Sequence, residues 1–203
     1  MDELSLHELF QMEMAQLREE HGREPDPDSW RWSPFDIRKF DPMLKIADDY
    51  CTSQDGYDRL SNPVTFWEAG SGIGTKLFLA KHKYDMTEYG LEINDDYLVK
   101  ARRLGVRCDK CDLSNLDDQP MWEAADIVYT ARPFKDEIKE SRWELLVQES
   151  MRPGAVLIST FAAVKPYRWT CLYKGPYRGV WVKPSGQGPR PVGQSEYAEE
   201  VFA

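Results

Sequence analysis

The feature that most constrains this chain is the run from Val64 to Lys76, VTFWEAGSGIGTK. Val64, Phe66 and Trp67 read as a short buried strand, bounded upstream by the breaker pair Asn62-Pro63. The strand ends in an acid and three alternate glycines, Glu68-x-Gly70-x-Gly72-x-Gly74, and Leu77, Phe78 and Ala80 then open a helix. A strand, a glycine turn and a helix form the first unit of a doubly wound α/β domain. Ligands of such sheets lie beyond the carboxyl ends of the strands, where this turn falls. Glycine there lets a ligand approach the main chain with no Cβ in the way.

The spacing selects among ligands. A dinucleotide fingerprint counted from Gly70 and Gly72 needs its third glycine at position 75, which is Thr75. A phosphate-binding P-loop needs Gly-Lys-Ser/Thr after its spacer, and that order is absent. The pattern acid-x-Gly-x-Gly-x-Gly resembles the first motif of the class I, Rossmann-like S-adenosylmethionine (SAM) dependent methyltransferases. A carboxylate beside the ammonium and sulfonium of such a ligand is electrostatically favourable.

That resemblance extends over residues 62–183 and supplies further expectations. It implies Glu68, Gly70, Gly72 and Gly74 at the cofactor. Glu92, 18 residues after Gly74, ends a second strand with Ile93, where a doubly wound fold places the acid that holds ribose hydroxyls. Two carboxylate oxygens match two vicinal hydroxyl donors. The alternative for Glu92 is a solvated cap before Asp95-Asp96. In the resembled family an acid and an apolar residue after the third strand serve the adenine, which implies Asp112 and Leu113, with Asp109 as substitute. The loop after the fourth strand, Thr130 to Phe134, would face the transferred methyl group. It lacks the polar-Pro-Pro-aromatic motif of the amino-group enzymes acting on DNA bases or glutamine, and no Pro-Cys pair of the cytosine C5 enzymes occurs. Tyr129, Arg132 and Asp136 are what the sequence offers for handling an acceptor, with an ion pair to Asp136 or Glu137 as the other reading of Arg132.

The remaining chain fits an α/β domain with a mostly parallel sheet, an antiparallel C-terminal hairpin and an N-terminal helical extension. Residues 1–61 form a helical cap or lid, 62–183 the SAM-binding domain, and 184–203 an irregular tail. The first helix spans 2–21, with Leu6, Leu9, Phe10, Met14 and Leu17 on one face. A second helix starts near Pro42. Trp30, Trp32 and Phe35 lie in a proline-rich linker, where they anchor it or line a pocket. Only about six residues separate the fifth strand, 155–161, from the hairpin near Trp169, too few for a crossover helix.

Composition narrows the partners. The 203 residues are 41% hydrophobic and 30% charged, an ordinary balance. No apolar run is long enough to span a bilayer, and the acidic N-terminus lacks a signal layout. With four scattered cysteines, the chain reads as cytoplasmic, without membrane association. Cys108 and Cys111 form a C-x-x-C with no second pair, so no metal is expected. Net charge is −9, yet residues 1–62 hold fifteen acids against seven bases, and no acid occurs between Ser150 and Ser195. That basic segment interleaves Tyr167, Trp169, Tyr173, Tyr177 and Trp181, a combination that suits nucleic acid and also good strand formers. An overall pI near 4.9 and the missing nucleic-acid motifs favour a small-molecule acceptor. The alternatives are a nucleic-acid or protein methyltransferase, a nucleotide-dependent oxidoreductase, or a SAM-binding protein without catalysis.

Overall fold

A computed structural model describes residues 4–21, 34–54, 57–116 and 119–185. Trp30, Trp32 and nearly all of the 184–203 tail lie outside the described residues. The elements, in order, are α1 (Leu6–His21), α2 (Ile37–Thr52), β1 (Thr65–Ala69), α3 (Thr75–Tyr84), β2 (Thr87–Glu92), α4 (Asp95–Arg103), β3 (Cys108–Lys110), β4 (Ile127–Thr130), α5 (Glu137–Ser150), β5 (Val156–Thr160), β6 (Thr170–Gly175) and β7 (Arg178–Val182).

The seven strands form one sheet in the order β3-β2-β1-β4-β5-β7-β6. The first five are parallel, and β7 runs antiparallel between β5 and β6. The order reverses at β1, so the glycine turn after β1 stands at the switch point where the crevice of a doubly wound sheet opens. β3 is short, because only three of its residues pair with β2.

One face of the sheet is covered by α2, α3 and α4, whose Phe40, Leu44, Leu77, Phe78, Leu98 and Ala101 share a core with Phe66, Ile127, Tyr129 and Ile158. The other face has α5 and a single 3-10 turn at Trp122–Ala124. Among the described residues no α-helix joins β3 to β4 or β5 to β6. Large rings fill that side instead: Trp122 and Trp143 are fully buried and meet edge-on at 6.0 Å, with Trp67 6.0 Å from Trp122. Indole rings bury enough area to close a face that lacks two helices.

The second helix begins at Ile37, five residues before the expected start. Asp36 caps it, its carboxylate accepting from Arg38 N, so Pro42 falls inside the helix. Helix α1 begins at Leu6, four residues after the expected start, and its buried stripe is Leu9, Glu13, Gln16 and Glu20, while Leu6, Phe10, Met14 and Leu17 are only half-buried. A mostly polar stripe faces the domain.

Candidate functional site

All three glycines of the turn take left-handed angles: Gly70 at φ 70°, Gly72 at 55° and Gly74 at 82°. Gly70 N and Ser71 N both donate to Leu91 O at 2.9 Å, which folds the turn back over the end of β2. The glycines do different things. A Cβ on Gly74 would stand 2.7 Å from Val106 Cγ2 and 3.1 Å from Ala101 Cβ, so this position lets α3 pack against α4. A Cβ on Gly70 would meet nothing nearer than Pro133 Cβ at 3.9 Å, so this side of the turn is open toward the loop after β4. We expect Gly74→Ala to cost about 2–3 kcal/mol, read by urea denaturation, from the left-handed angle and the forced shift of Val106.

Two acids flank the turn. Glu92, at the tip of β2, accepts from Gly72 N at 2.8 Å through Oε2, and from Ile93 N and Asn94 N at 2.9 Å through Oε1. Burial raises its pKa, and these three N–H groups oppose the rise. Each carboxylate oxygen has more than one lone pair, so the group can still accept from a ligand hydroxyl. Ile93 stands beside it, 54% exposed. Glu68, the last acid of β1, is buried, and its Oε2 has no hydrogen-bond partner among the described residues. Burial pushes its carboxyl up to about 8, against the nearby Lys76 ammonium and with help from Glu13 and Glu92. An orphaned buried oxygen at an open glycine turn suits a cation or a strong donor.

Past β3, Asp112 is exposed with Oδ1 accepting from Ser114 N at 2.9 Å, and Leu113 is buried. Cys108 is buried with Sγ 3.0 Å from Ser71 Oγ.

The loop after β4 departs from expectation. Tyr129 does not face an open acceptor site. It is fully buried, its ring 4.7 Å from Phe40 of α2 and its hydroxyl 3.3 Å from Thr160 Oγ1. Asp136 caps α5, accepting from Ile138 N at 2.8 Å and Lys139 N at 3.0 Å, contacts that lower its pKa. Aspartate directly before a helix is a strong capping signal. Arg132 sits at φ 45° with Nη2 3.3 Å from the exposed Glu137.

Two buried charge clusters had no signal in the sequence. In the first, Glu13 of α1 accepts from Thr75 Oγ1 at 2.8 Å, Lys76 Nζ at 3.0 Å and Ile37 N at 3.2 Å. Lys76 lies 6.0 Å from the ring centroids of Phe40 and Tyr129. Burial works against its charge, but Glu13, Tyr129 and Glu68 outweigh this and raise its pKa. In the second, Glu140 and Glu144 of α5 hold the loops after β4 and β5. Glu140 Oε2 accepts from Phe134 N at 2.8 Å, and Glu144 Oε2 from Val164 N at 2.6 Å.

No family model and no curated protein matches this chain. Among solved structures, an RNA methyltransferase from Salinibacter ruber in complex with S-adenosyl-L-homocysteine superposes with a TM-score of 0.57 at 20% identity, over 78% of this chain and 98% of that one. The chain has the class I methyltransferase fold. The bifunctional kinase-methyltransferase WbdD matches with a TM-score of 0.51 at 11% identity, over 82% of this chain but only 46% of its own length. On the methyltransferase fold, the described crevice is the glycine turn, the tips of β2 and β3, and the loop after β4. Tyr129 and Asp136 stand apart from it, one under Phe40 and one on a helix cap. No helix among the described residues is long and apolar enough to cross a membrane.

Proposed function

We propose that this chain is a SAM-dependent methyltransferase acting on a small-molecule acceptor. The observation that carries the reading is the Glu68 carboxylate, buried with a free oxygen beside an open glycine turn. Glu68 and the turn at Gly70 and Gly72 would hold the amino-acid end of SAM. Glu92 would accept from the ribose hydroxyls, Ile93 would lie against the adenine ring, and Asp112 and Leu113 would bound its far edge. Gly74 serves by packing α3 against α4. Bound SAM supplies an electrophilic methyl group on a sulfonium. The protein's contribution is alignment and exclusion of water, which needs no dedicated base. Arg132 and the loop to Phe134 form the acceptor flank, opposite Gly70. The acidic net charge favours a small acceptor over a polymer. Residues 1–61 act as the cap of this crevice, with Glu13 seated on the first turn of α3.

A second reading is a SAM-binding protein without catalysis. It is favoured by Phe40 filling the space over the Tyr129 ring. Methyl transfer to any acceptor from labelled SAM excludes it.

Calorimetric titration tests the donor. We expect micromolar binding of SAM, lost in Gly72→Arg, and weaker or no binding of NAD; tighter NAD binding overturns the proposal in favour of an oxidoreductase. A second readout is proton release. Glu68 is pushed up to about 8, so it is mostly protonated at pH 7 and must ionise to hold a cation. Binding at pH 7 is therefore expected to release close to one proton, seen as a heat that differs between phosphate and Tris buffers. Glu68→Gln should remove that difference and weaken binding.

A further inference from the structure

Two aromatic rings at the carboxyl edge of the sheet are held in costly backbone conformations and left bare. Phe161 follows β5 at φ 57° and is 49% exposed. Tyr177, in the hairpin turn between β6 and β7, sits at φ 56° and is 63% exposed. Left-handed angles are unusual for bulky residues and gather at functional sites. The hairpin turn reads Gly175-Pro176-Tyr177-Arg178, with tyrosine where a turn after proline prefers glycine. The main chain locks the two together, Phe161 N donating to Tyr177 O at 2.6 Å. Their rings stack with centroids 5.9 Å apart and planes 22° from parallel.

Their position ties them to the site. Thr160 Oγ1 donates to Thr130 O at 3.4 Å, so Phe161 leaves the sheet one strand beyond Ala131 and Arg132. That is about 5 Å from the loop proposed to flank the acceptor. The rim is cationic. Lys174 is exposed, and Arg178 is held by Tyr173, its Nε donating to the tyrosine hydroxyl at 3.2 Å.

We propose that Phe161 and Tyr177 are the seat for a planar aromatic ring of the acceptor. The role as an acceptor seat rests on the methyltransferase reading; the ring-binding surface itself does not. Two fixed, nearly parallel rings that are both exposed offer outer faces on which another π system can stack, with little dependence on its substituents. Tyr167, Trp169, Tyr173 and Trp181 take no part, since they are half-buried or buried. The stacking ring is either a free aromatic small molecule or a base within a single strand.

Saturation-transfer NMR on the full chain tests this, with and without S-adenosylhomocysteine (SAH), using thymidine, a twelve-residue oligothymidylate, and cyclohexanol as the non-planar control. Thymidine should bind in preference to cyclohexanol in the presence of SAH. Tyr177→Gly should weaken thymidine binding roughly fivefold to tenfold. The same change relieves the left-handed angle at φ 56°, which offsets glycine's entropy cost, and a thermal melt of the variant separates lost binding from unfolding. Tyr177→Phe should retain binding. Oligothymidylate at least tenfold tighter than thymidine identifies a strand as the source, and equal affinities identify a free ring. Ring binding indifferent to Tyr177→Gly, or no preference over cyclohexanol, overturns the seat while leaving the donor site untouched. Absence of SAH binding with ring binding intact overturns the methyltransferase reading, and with it the acceptor role, but not the surface.

Discussion

Replacing Glu13 by alanine is expected to lower folding stability by about 3–5 kcal/mol, the cost of breaking a buried ion pair from one side. Glu13 is completely buried, and Lys76 is nearly so, its side chain 6% exposed. Removing the carboxylate leaves an ammonium enclosed by Phe40, Tyr129 and the unpaired Glu68, with Thr75 Oγ1 and Ile37 N losing their acceptor. Desolvating an uncompensated charge costs more than the pair contributes when intact, so the two residues should couple strongly. Glu13→Gln keeps one acceptor oxygen, toward Thr75 and Lys76, but turns an NH2 donor toward Ile37 N; it should still cost less than alanine. The double change Glu13→Gln with Lys76→Met should be milder than the sum of the single changes by more than about 1 kcal/mol. Urea denaturation of the four proteins gives the cycle. An alanine variant within 1 kcal/mol of wild type would mean that water reaches Lys76 and that α1 is only loosely seated.

This cluster also shows where sequence patterning stops. On α1 the apolar positions Leu6, Phe10, Met14 and Leu17 follow a helical period, and that pattern predicts the inward face. The inward face is Leu9, Glu13, Gln16 and Glu20. Periodicity assumes an apolar target, but α1 lands on Thr75, Lys76 and Lys100, which are polar. A buried glutamate announces itself only through partners 24, 62 and 63 residues away. The glycine turn was legible for the opposite reason. Its chemistry is local, because left-handed backbone angles and the exclusion of Cβ atoms act on single residues. The missing crossover helix after β5 and the terminal hairpin were legible through short spacings and turn residues. Asp136 shows the converse: the resemblance points to an acceptor role, while its place just before α5 makes it a helix cap. Tyr129 was placed at the end of the correct strand. Which face it takes depended on Phe40, a residue of a helix whose start was misread because Pro42 looked like a beginning.

The second large effect is a dependence of stability on pH through Glu140 and Glu144. Both carboxyls are buried, and each has one oxygen, Oε1, with no donor among the described residues. Their other oxygens hold Phe134 N and Val164 N. One shared proton resolves the arrangement, since a protonated carboxyl can donate to its neighbour. Burial raises both carboxyls above the ordinary range, and for Glu140 the Glu144 charge adds to the rise. Arg132, from the loop after β4, opposes it for both. The sign follows from linkage: the folded state binds more protons than the unfolded state, so stability falls as pH rises from the ordinary carboxyl range through the raised values. Between pH 5 and pH 9 the loss should reach at least about 1.4 kcal/mol, the equivalent of one pKa unit. Glu140→Gln supplies a neutral donor toward Glu144 and keeps an acceptor for Phe134 N, so it should flatten the profile and make the protein more stable than wild type at pH 9. Glu68 also titrates in this range, but its contribution is common to both proteins and cancels in the difference. Thermal melts at pH 5, 7 and 9 read the effect, and hydrogen exchange at Phe134 and Val164 locates it. A Glu140→Gln variant that retains the wild-type slope would place the proton elsewhere. If the slope flattens and exchange at both amides slows at pH 9, the two loops are held by a shared proton, and their loosening in alkali should weaken acceptor binding separately from the ionisation of Glu68 beside the glycine turn.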